Sequence, residues 1–249
     1  MNQTHPAYMP RIIGHRGACG SAPENTLVSI RRAAEMGAKA VEVDATVSSD
    51  GIALLVHDTN LDRCSNGQGP VVLRTAAEIG ALDAGSWFAS EFKGESIPRL
   101  EQALALVVSL GIKLNLEIKP TLGWEEVTVH SVAETLQQAM PPGMPILVSS
   151  MNLLALELFH ALMPDMSLGL ITTAAPKNWL QRLQRYHCQA LHCHHAFASH
   201  ELVDDIHAHD YRIHVYTVND EGRARELFAM GVDAIFTDYP DRMLSLEEA

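Results

Sequence analysis

The chain has 249 residues, 47% hydrophobic and 19% charged, with 30 acidic against 18 basic side chains and a formal charge of −12. That balance suits a well-buried core and argues against a nucleic-acid partner, because too little basic charge is present to replace the counterions along a phosphate backbone. No segment approaches 18 uninterrupted apolar residues, so no membrane insertion is expected. The N-terminus shows neither a basic nor an apolar leader region, and Cys19, Cys64, Cys188 and Cys193 have no disulfide-framework spacing, so the expectation is a cytoplasmic protein with reduced thiols.

In chain order, short β-rich runs alternate with amphipathic segments: "RIIGH", "KAVEVDATV", "IALLVHD", "KLNLEIK", "PILVSS", "SLGLIT", "QALHCH", "RIHVYTV" and "AIFTD". Between most of them lie stretches of helical spacing, such as "NTLVSIRRAAEMG", "RLEQALALVVSLG", "NLLALELFHALMP" and "EGRARELFAMG", several closing on Gly or Pro. The alternation reads as α/β, either a parallel barrel or a doubly wound sheet. Nine strand candidates are one more than a TIM-type (β/α)8 barrel needs. "SSDG" is too short for a parallel crossover, so Asp50-Gly51 reads as a hairpin turn. Residues 52–57 then fold back on 42–47, with His57 returning to the level of Glu42. Residues 58–97 are too long for a simple barrel loop and read as an insertion covering the barrel mouth. No linker or change of composition divides residues 1–249, so one domain is expected.

Active sites of such barrels lie at the C-terminal ends of the strands. His15 and Arg16 end the first strand, Glu42 and Asp44 share one face of the second, and the hairpin brings His57. Glu117 and Lys119 share a face with Asn115. Glu42, Asp44 and Glu117 cannot all stay ionised in one mouth without a compensating cation, which points to a hard divalent ion, Mg²⁺ or Ca²⁺. Arg16 and Lys119 beside such an ion imply an anionic substrate, most simply a phosphate. His15 and His57 have the ordinary pKa for proton transfer near neutrality. Together these groups specify metal-assisted attack at a phosphodiester.

The segments "GHRGACGSAPENT", "VEVDATVSSDG", "VHDTNLDRCSNG", "DAGSWF…FKGESIPRLEQAL", "NLEIKP", "VYTVND" and "TDYP" resemble, in order and spacing, the motifs of glycerophosphodiester phosphodiesterases, from about residue 11 to 241. The resemblance implies a TIM barrel with an insertion after the histidine-bearing hairpin. It also implies hydrolysis of deacylated phospholipids to sn-glycerol 3-phosphate and an alcohol. Its metal ligands fall on Glu42, Asp44 and Glu117, its catalytic pair on His15 and His57, and its phosphate-contacting cations on Arg16 and Lys119. Pro23 and Glu24 read as the first turn of a helix, with Glu24 a candidate to orient Arg16. Tyr216 is the candidate wall for the glycerol carbons. The run "YHCQALHCHHAF" does not make a zinc site, since Cys193 faces away from His192 and His194, although His194 could reach the leaving group. The alternative is a phospholipase C- or D-like enzyme acting on intact lipid, which the acidic balance disfavours. A small-molecule partner is expected, and a homo-oligomer is left open.

Overall fold

The computed structural model describes residues 9–141 and 143–246. Eight parallel strands close into a barrel: β1 (Ile12–Gly14), β2 (Ala40–Val47), β4 (Lys113–Ile118), β5 (Ile146–Ser150), β6 (Ser167–Thr172), β7 (Cys188–His194), β8 (Arg212–Tyr216) and β9 (Ala234–Thr237). Closure comes from β1, which pairs with β9 on one side and with β2 at Gly14↔Val41 on the other. A short β3 (Ala53–Leu55) runs antiparallel on the rim of β2. Helices α1 (Leu27–Glu35), α3 (Leu100–Leu110), α4 (Glu125–Ala139), α5 (Leu153–Leu162), α6 (Trp179–Arg185), α7 (His200–Ala208) and α8 (Glu221–Ala229) follow successive strands. This is the expected TIM-type barrel with one extra strand.

Strand alternation sorts the side chains. Val41, Val43, Leu114, Leu116 and Val148 face outward and are fully buried with Ile30, Leu104, Val132 and Phe159 of the helices in the main apolar cluster. The inward positions build a smaller cluster of Met9, Ile13, Ala40, Leu147, Ala234 and Phe236, together with buried polar groups. Among these, His214 Nδ1 and His192 Nε2 lie 3.1 Å apart. Gly169 leaves the space for this pair, because a Cβ there would lie 2.7 Å from His192 Nε2.

Two local expectations change. The chain between β2 and β3 uses five residues, with Ser48 N donating to Ile52 O at 3.1 Å and the ladder joining Val47 to Ala53. Extending that register brings His57 level with Val43, one residue from the expected Glu42. The helix after β1 also starts later than Pro23. Asn25 has φ 57, which no α-helix tolerates, and Thr26 is the N-cap, its side chain accepting from Ser29 N at 3.2 Å.

The insertion builds α2 (Ala76–Gly80) and single turns at Val71–Leu73 and Ser90–Phe92. It has a core of its own, in which Leu61, Val71, Ala76, Ile79, Ala84 and Ile97 pack on Leu54 and Val56 of the hairpin. That packing anchors it to the hairpin, and Phe88 makes edge-to-face contacts with both Trp87 and Phe92. The last helix, α9 (Pro240–Met243), packs beneath β1.

Burial, with His214 alongside, pulls His192 well below its ordinary pKa; burial likewise brings His214 to about 4, against the opposing charge of Asp233. A histidine depressed in the fold contributes full stability above its unfolded value near 6.5 and loses it as the pH falls toward the folded value. Unfolding free energy should therefore decline between about pH 6.5 and pH 4, and His214→Gln should flatten that decline in denaturant titrations across the same range.

Candidate active site

The site begins where β1 releases the chain. Arg16 (φ 51) and Gly17 (φ 86) form a left-handed turn, and Gly17 is required there: a Cβ would lie 2.4 Å from Ser29 Oγ of α1. The turn directs Arg16 N onto Glu42 Oε2 at 2.8 Å. It also places the Arg16 guanidinium on Glu24 Oε1 through Nη1 at 2.7 Å, with Nε 3.4 Å from Asp44 Oδ2. Glu24 thus orients Arg16 as expected from its position in the sequence.

Glu42 (4% exposed) and Asp44 (1%) sit on the inner face of β2, in register with Asn115 and Glu117 of β4. Asn25 holds Asp44 twice, its Nδ2 donating to Oδ2 at 2.9 Å and its Oδ1 accepting from Asp44 N at 3.0 Å. Lys119 Nζ lies 3.3 Å from Glu117 Oε1 and 3.9 Å from Asp44 Oδ1. Burial, reinforced by Asp44 and Glu117, raises Glu42 well above the usual carboxylate range. Burial next to Asp44 pushes Glu117 up to about 7, despite Lys119.

Ligand oxygens of Glu42, Asp44 and Glu117 lie within 4.8 Å of one another. Oxygens bound to one hard cation at about 2.1–2.5 Å can be at most about 5 Å apart, so the spacing suits a single ion. Glu42 Oε1 is buried with no hydrogen-bond partner, a position that a cation would satisfy. The donor set is all oxygen, as Mg²⁺ and Ca²⁺ prefer. These residues can bind a divalent metal.

Each histidine rests on an aspartate. His15 Nδ1 is 2.7 Å from Asp238 Oδ1, and His57 Nδ1 is 2.7 Å from Asp58 Oδ1. Asp238 opposes its own burial with hydrogen bonds from His15, Cys19 and Asn219, which hold it well below the usual carboxylate range. Asp58 is held low by Arg63 first and by His57. Ionised carboxylates only accept, so both Nδ1 atoms carry hydrogen and both Nε2 atoms remain for proton transfer. Burial takes His57 below its ordinary pKa, with Arg16 and Lys119 adding to the shift and Asp44 and Asp58 opposing it.

A cavity of about 330 Å³ joins these groups at the strand ends. It is lined by His15, Arg16, Glu42, His57, Glu117 and Lys119, and by Met151, Ile171, Tyr216 and Phe236 together with His192 and His194. Tyr216 donates its hydroxyl to Thr172 O at 2.9 Å, which leaves its ring as apolar surface. Asp44 completes the carboxylate cluster without lining the cavity. All eight residues named from the sequence therefore converge. Residues 59–97 contribute nothing to the lining. The supports Asn25, Asp58, Asn219 and Asp238 were given no role, although Asn25 adjoins Glu24, Asp58 adjoins His57, and Asn219 and Asp238 lie in the motifs "VYTVND" and "TDYP".

The fold is a parallel TIM-type barrel with a carboxylate cluster, two histidine–aspartate pairs and two cations at the C-terminal ends of its strands. Residues 15–242 match the model of the glycerophosphoryl diester phosphodiesterase family. The chain is 32% identical over 246 residues to a glycerophosphodiester phosphodiesterase of Bacillus altitudinis, covering 96% of this chain and 99% of the relative. Among solved structures it superimposes with a TM-score of 0.95 and 40% identity on an Oleispira antarctica phosphodiesterase in complex with the product sn-glycerol-3-phosphate, over 98% of both chains. A glycerophosphodiester phosphodiesterase from Agrobacterium tumefaciens superimposes with a TM-score of 0.83 and 28% identity, over 95% of this chain and 100% of the other. The chain belongs to the glycerophosphoryl diester phosphodiesterase family and is an enzyme of that class.

The supporting aspartates can be tested directly. Asp238→Asn keeps the shape but offers His15 Nδ1 an amide, which favours the wrong tautomer. Its kcat should fall by roughly 10²- to 10⁴-fold, the usual range for general acid–base catalysis, with an unchanged circular dichroism spectrum.

Proposed function

We propose that this enzyme hydrolyses glycerophosphodiesters, the deacylated forms of phospholipids, to sn-glycerol 3-phosphate and an alcohol, using a divalent metal and a histidine pair. The observation that carries this reading is the shared cavity, where Glu42 and Glu117 of the three-carboxylate cluster, two oriented imidazoles and two cations meet apolar side chains. A cavity of about 330 Å³ accommodates a polar head-group diester, and two acyl chains would have to lie outside it. No helix among the described residues is long and apolar enough to cross a membrane. Free Cys19, Cys64, Cys188 and Cys193 support a reducing, cytoplasmic location.

Glu42, Asp44 and Glu117 would hold Mg²⁺ or Ca²⁺, which when bound supplies Lewis-acid polarisation of the phosphate. Arg16 and Lys119 clamp the phosphate oxygens, and the Tyr216 ring packs against the glycerol carbons. His15 Nε2 accepts the proton of the glycerol 2-hydroxyl as its oxygen bonds to phosphorus, and water then opens the resulting cyclic phosphate to glycerol 3-phosphate. His57 Nε2 donates a proton to the departing alcohol oxygen as the old P–O bond breaks. Its lowered pKa makes the His57 imidazolium a stronger acid toward that leaving oxygen.

Release of glycerol 3-phosphate from glycerophosphocholine should be lost in chelator and restored by Mg²⁺ or Ca²⁺, while intact phosphatidylcholine vesicles should yield nothing. Glu42→Ala, Asp44→Ala and Glu117→Ala should each lose both activity and calorimetrically measured metal binding. Full turnover by metal-stripped protein would overturn the metal assignment.

The division of roles has its own readout. His57→Ala should lose roughly 10²- to 10⁴-fold on choline esters and recover much of that with a nitrophenyl leaving group, which departs without a proton. His15→Ala should show no such recovery; equal recovery of both would reverse the assignment.

A further inference from the structure

Arg63, in the motif "VHDTNLDRCSNG", has no part in the reaction described above, yet it makes four hydrogen bonds to two carboxylates. Its Nη1 donates to Glu24 Oε2 at 2.6 Å and its Nη2 to Glu24 Oε1 at 2.8 Å. Its Nε donates to Asp58 Oδ2 at 2.7 Å, and Nη2 reaches Asp58 Oδ1 at 3.0 Å. The same Glu24 Oε1 accepts from Arg16, and the same Asp58 Oδ1 accepts from His57. One continuous chain of charge-assisted bonds therefore runs from His57 through Asp58, Arg63 and Glu24 to Arg16.

We propose that Arg63 is a positioning residue through which the insertion sets the orientation of the leaving-group acid His57 and of the phosphate clamp Arg16. The inference rests on the roles given above to those two residues. Arg63 does not serve as a further phosphate ligand, because its donors are turned onto carboxylates and it does not line the cavity. Its own base is fixed by the insertion. Leu61 is buried in the insertion's core, and Ser65 Oγ donates to Leu61 O at 2.7 Å. Burial would raise Glu24, but the bonds from Arg63 and the charge of Arg16 bring it down to about 2. The planar guanidinium matches two carboxylates at once, a geometry that lysine cannot supply.

The test is steady-state kinetics of Arg63→Ala and Arg63→Lys with glycerophosphocholine and with the nitrophenyl ester of glycerol 3-phosphate. Arg63→Ala should lower kcat for the choline ester by roughly 10- to 10²-fold, since misplacing a catalytic group by about 1 Å costs that much. Its kcat for the nitrophenyl ester should change far less, while KM rises for both esters through Arg16. Arg63→Lys should resemble Arg63→Ala. Because Arg63 is 46% exposed, the space left by Arg63→Ala is open to solvent, so added guanidinium should restore kcat and added ammonium should not.

In a His57→Ala background, removing Arg63 should have little further effect on kcat, because residues acting as one unit are not additive. That arm separates the two readings: His57→Ala alone reports on the acid, and the double variant reports on Arg63. Equal loss on both esters without a guanidinium response would overturn the proposal and leave Arg63 a strut between insertion and barrel. Undiminished kcat in Arg63→Ala, or a full additional loss in the double variant, would overturn it too. Should Arg63→Ala fail to fold, Arg63→Lys carries the same comparison, and wild-type kcat in that variant would overturn the proposal.

Discussion

Crowding of like charge is the constraint around which this barrel is organised. Asp44 and Glu117 are direct neighbours in the β2–β4 register, and Glu42 lies two residues earlier on the same inner face. Backbone hydrogen bonding holds adjacent strands about 4.8 Å apart, so the carboxylates cannot separate without breaking the sheet. Compensation has to come from outside the strands. Arg16 arrives on a left-handed turn that only Gly17 permits, Lys119 from just beyond β4, and Asn25 from the turn before α1. Burial, with repulsion among the three carboxylates added to it, raises Glu42 and Glu117, and a cluster of this kind could bind a divalent cation.

A second layer converts that charge cluster into a directional site. Asp238 and Asp58 fix the tautomers of His15 and His57 and thereby leave Nε2 of each ring for the proton transfers proposed above. Both aspartates are themselves held, one by Asn219 and Cys19, the other by Arg63. Networks of this kind are strong when every member is satisfied and costly when one is removed. The two histidines are held from opposite sides, His15 from the end of β9 and His57 from the hairpin and insertion.

Stability is supplied largely elsewhere. The outward strand residues and the helices share one continuous apolar cluster, which leaves the inner face free to carry polar groups toward the mouth. Even the interior histidine pair is accommodated, through the space at Gly169 and the neutral state that burial imposes. The insertion repeats this division on a smaller scale, with a core of its own that fixes the base of Arg63.

Much of this was legible in the chain itself. Alternation of strand and helix, the short "SSDG" connection and the acids spaced two apart in "EVD" are local patterns. Local patterns follow from backbone period and turn length, so they located the strands, the hairpin and the polar groups at the strand ends, while the choice of a barrel over a doubly wound sheet came from the motifs that resemble the family. Features that depend on closure were not readable in this way. The contact of His15 with Asp238 spans 223 residues and exists only because β1 pairs with β9. Tertiary contact also decided that α1 starts after Thr26, since Asn25 is drawn into a left-handed conformation as it binds Asp44. The insertion is fixed to the hairpin because its apolar residues pack on Leu54 and Val56, an attachment that no single stretch of sequence specifies. Sequence determined which chemical groups reach the mouth; the closed barrel decided which of them hold one another, because hydrogen-bond partners distant in the chain are chosen by strand register and packing.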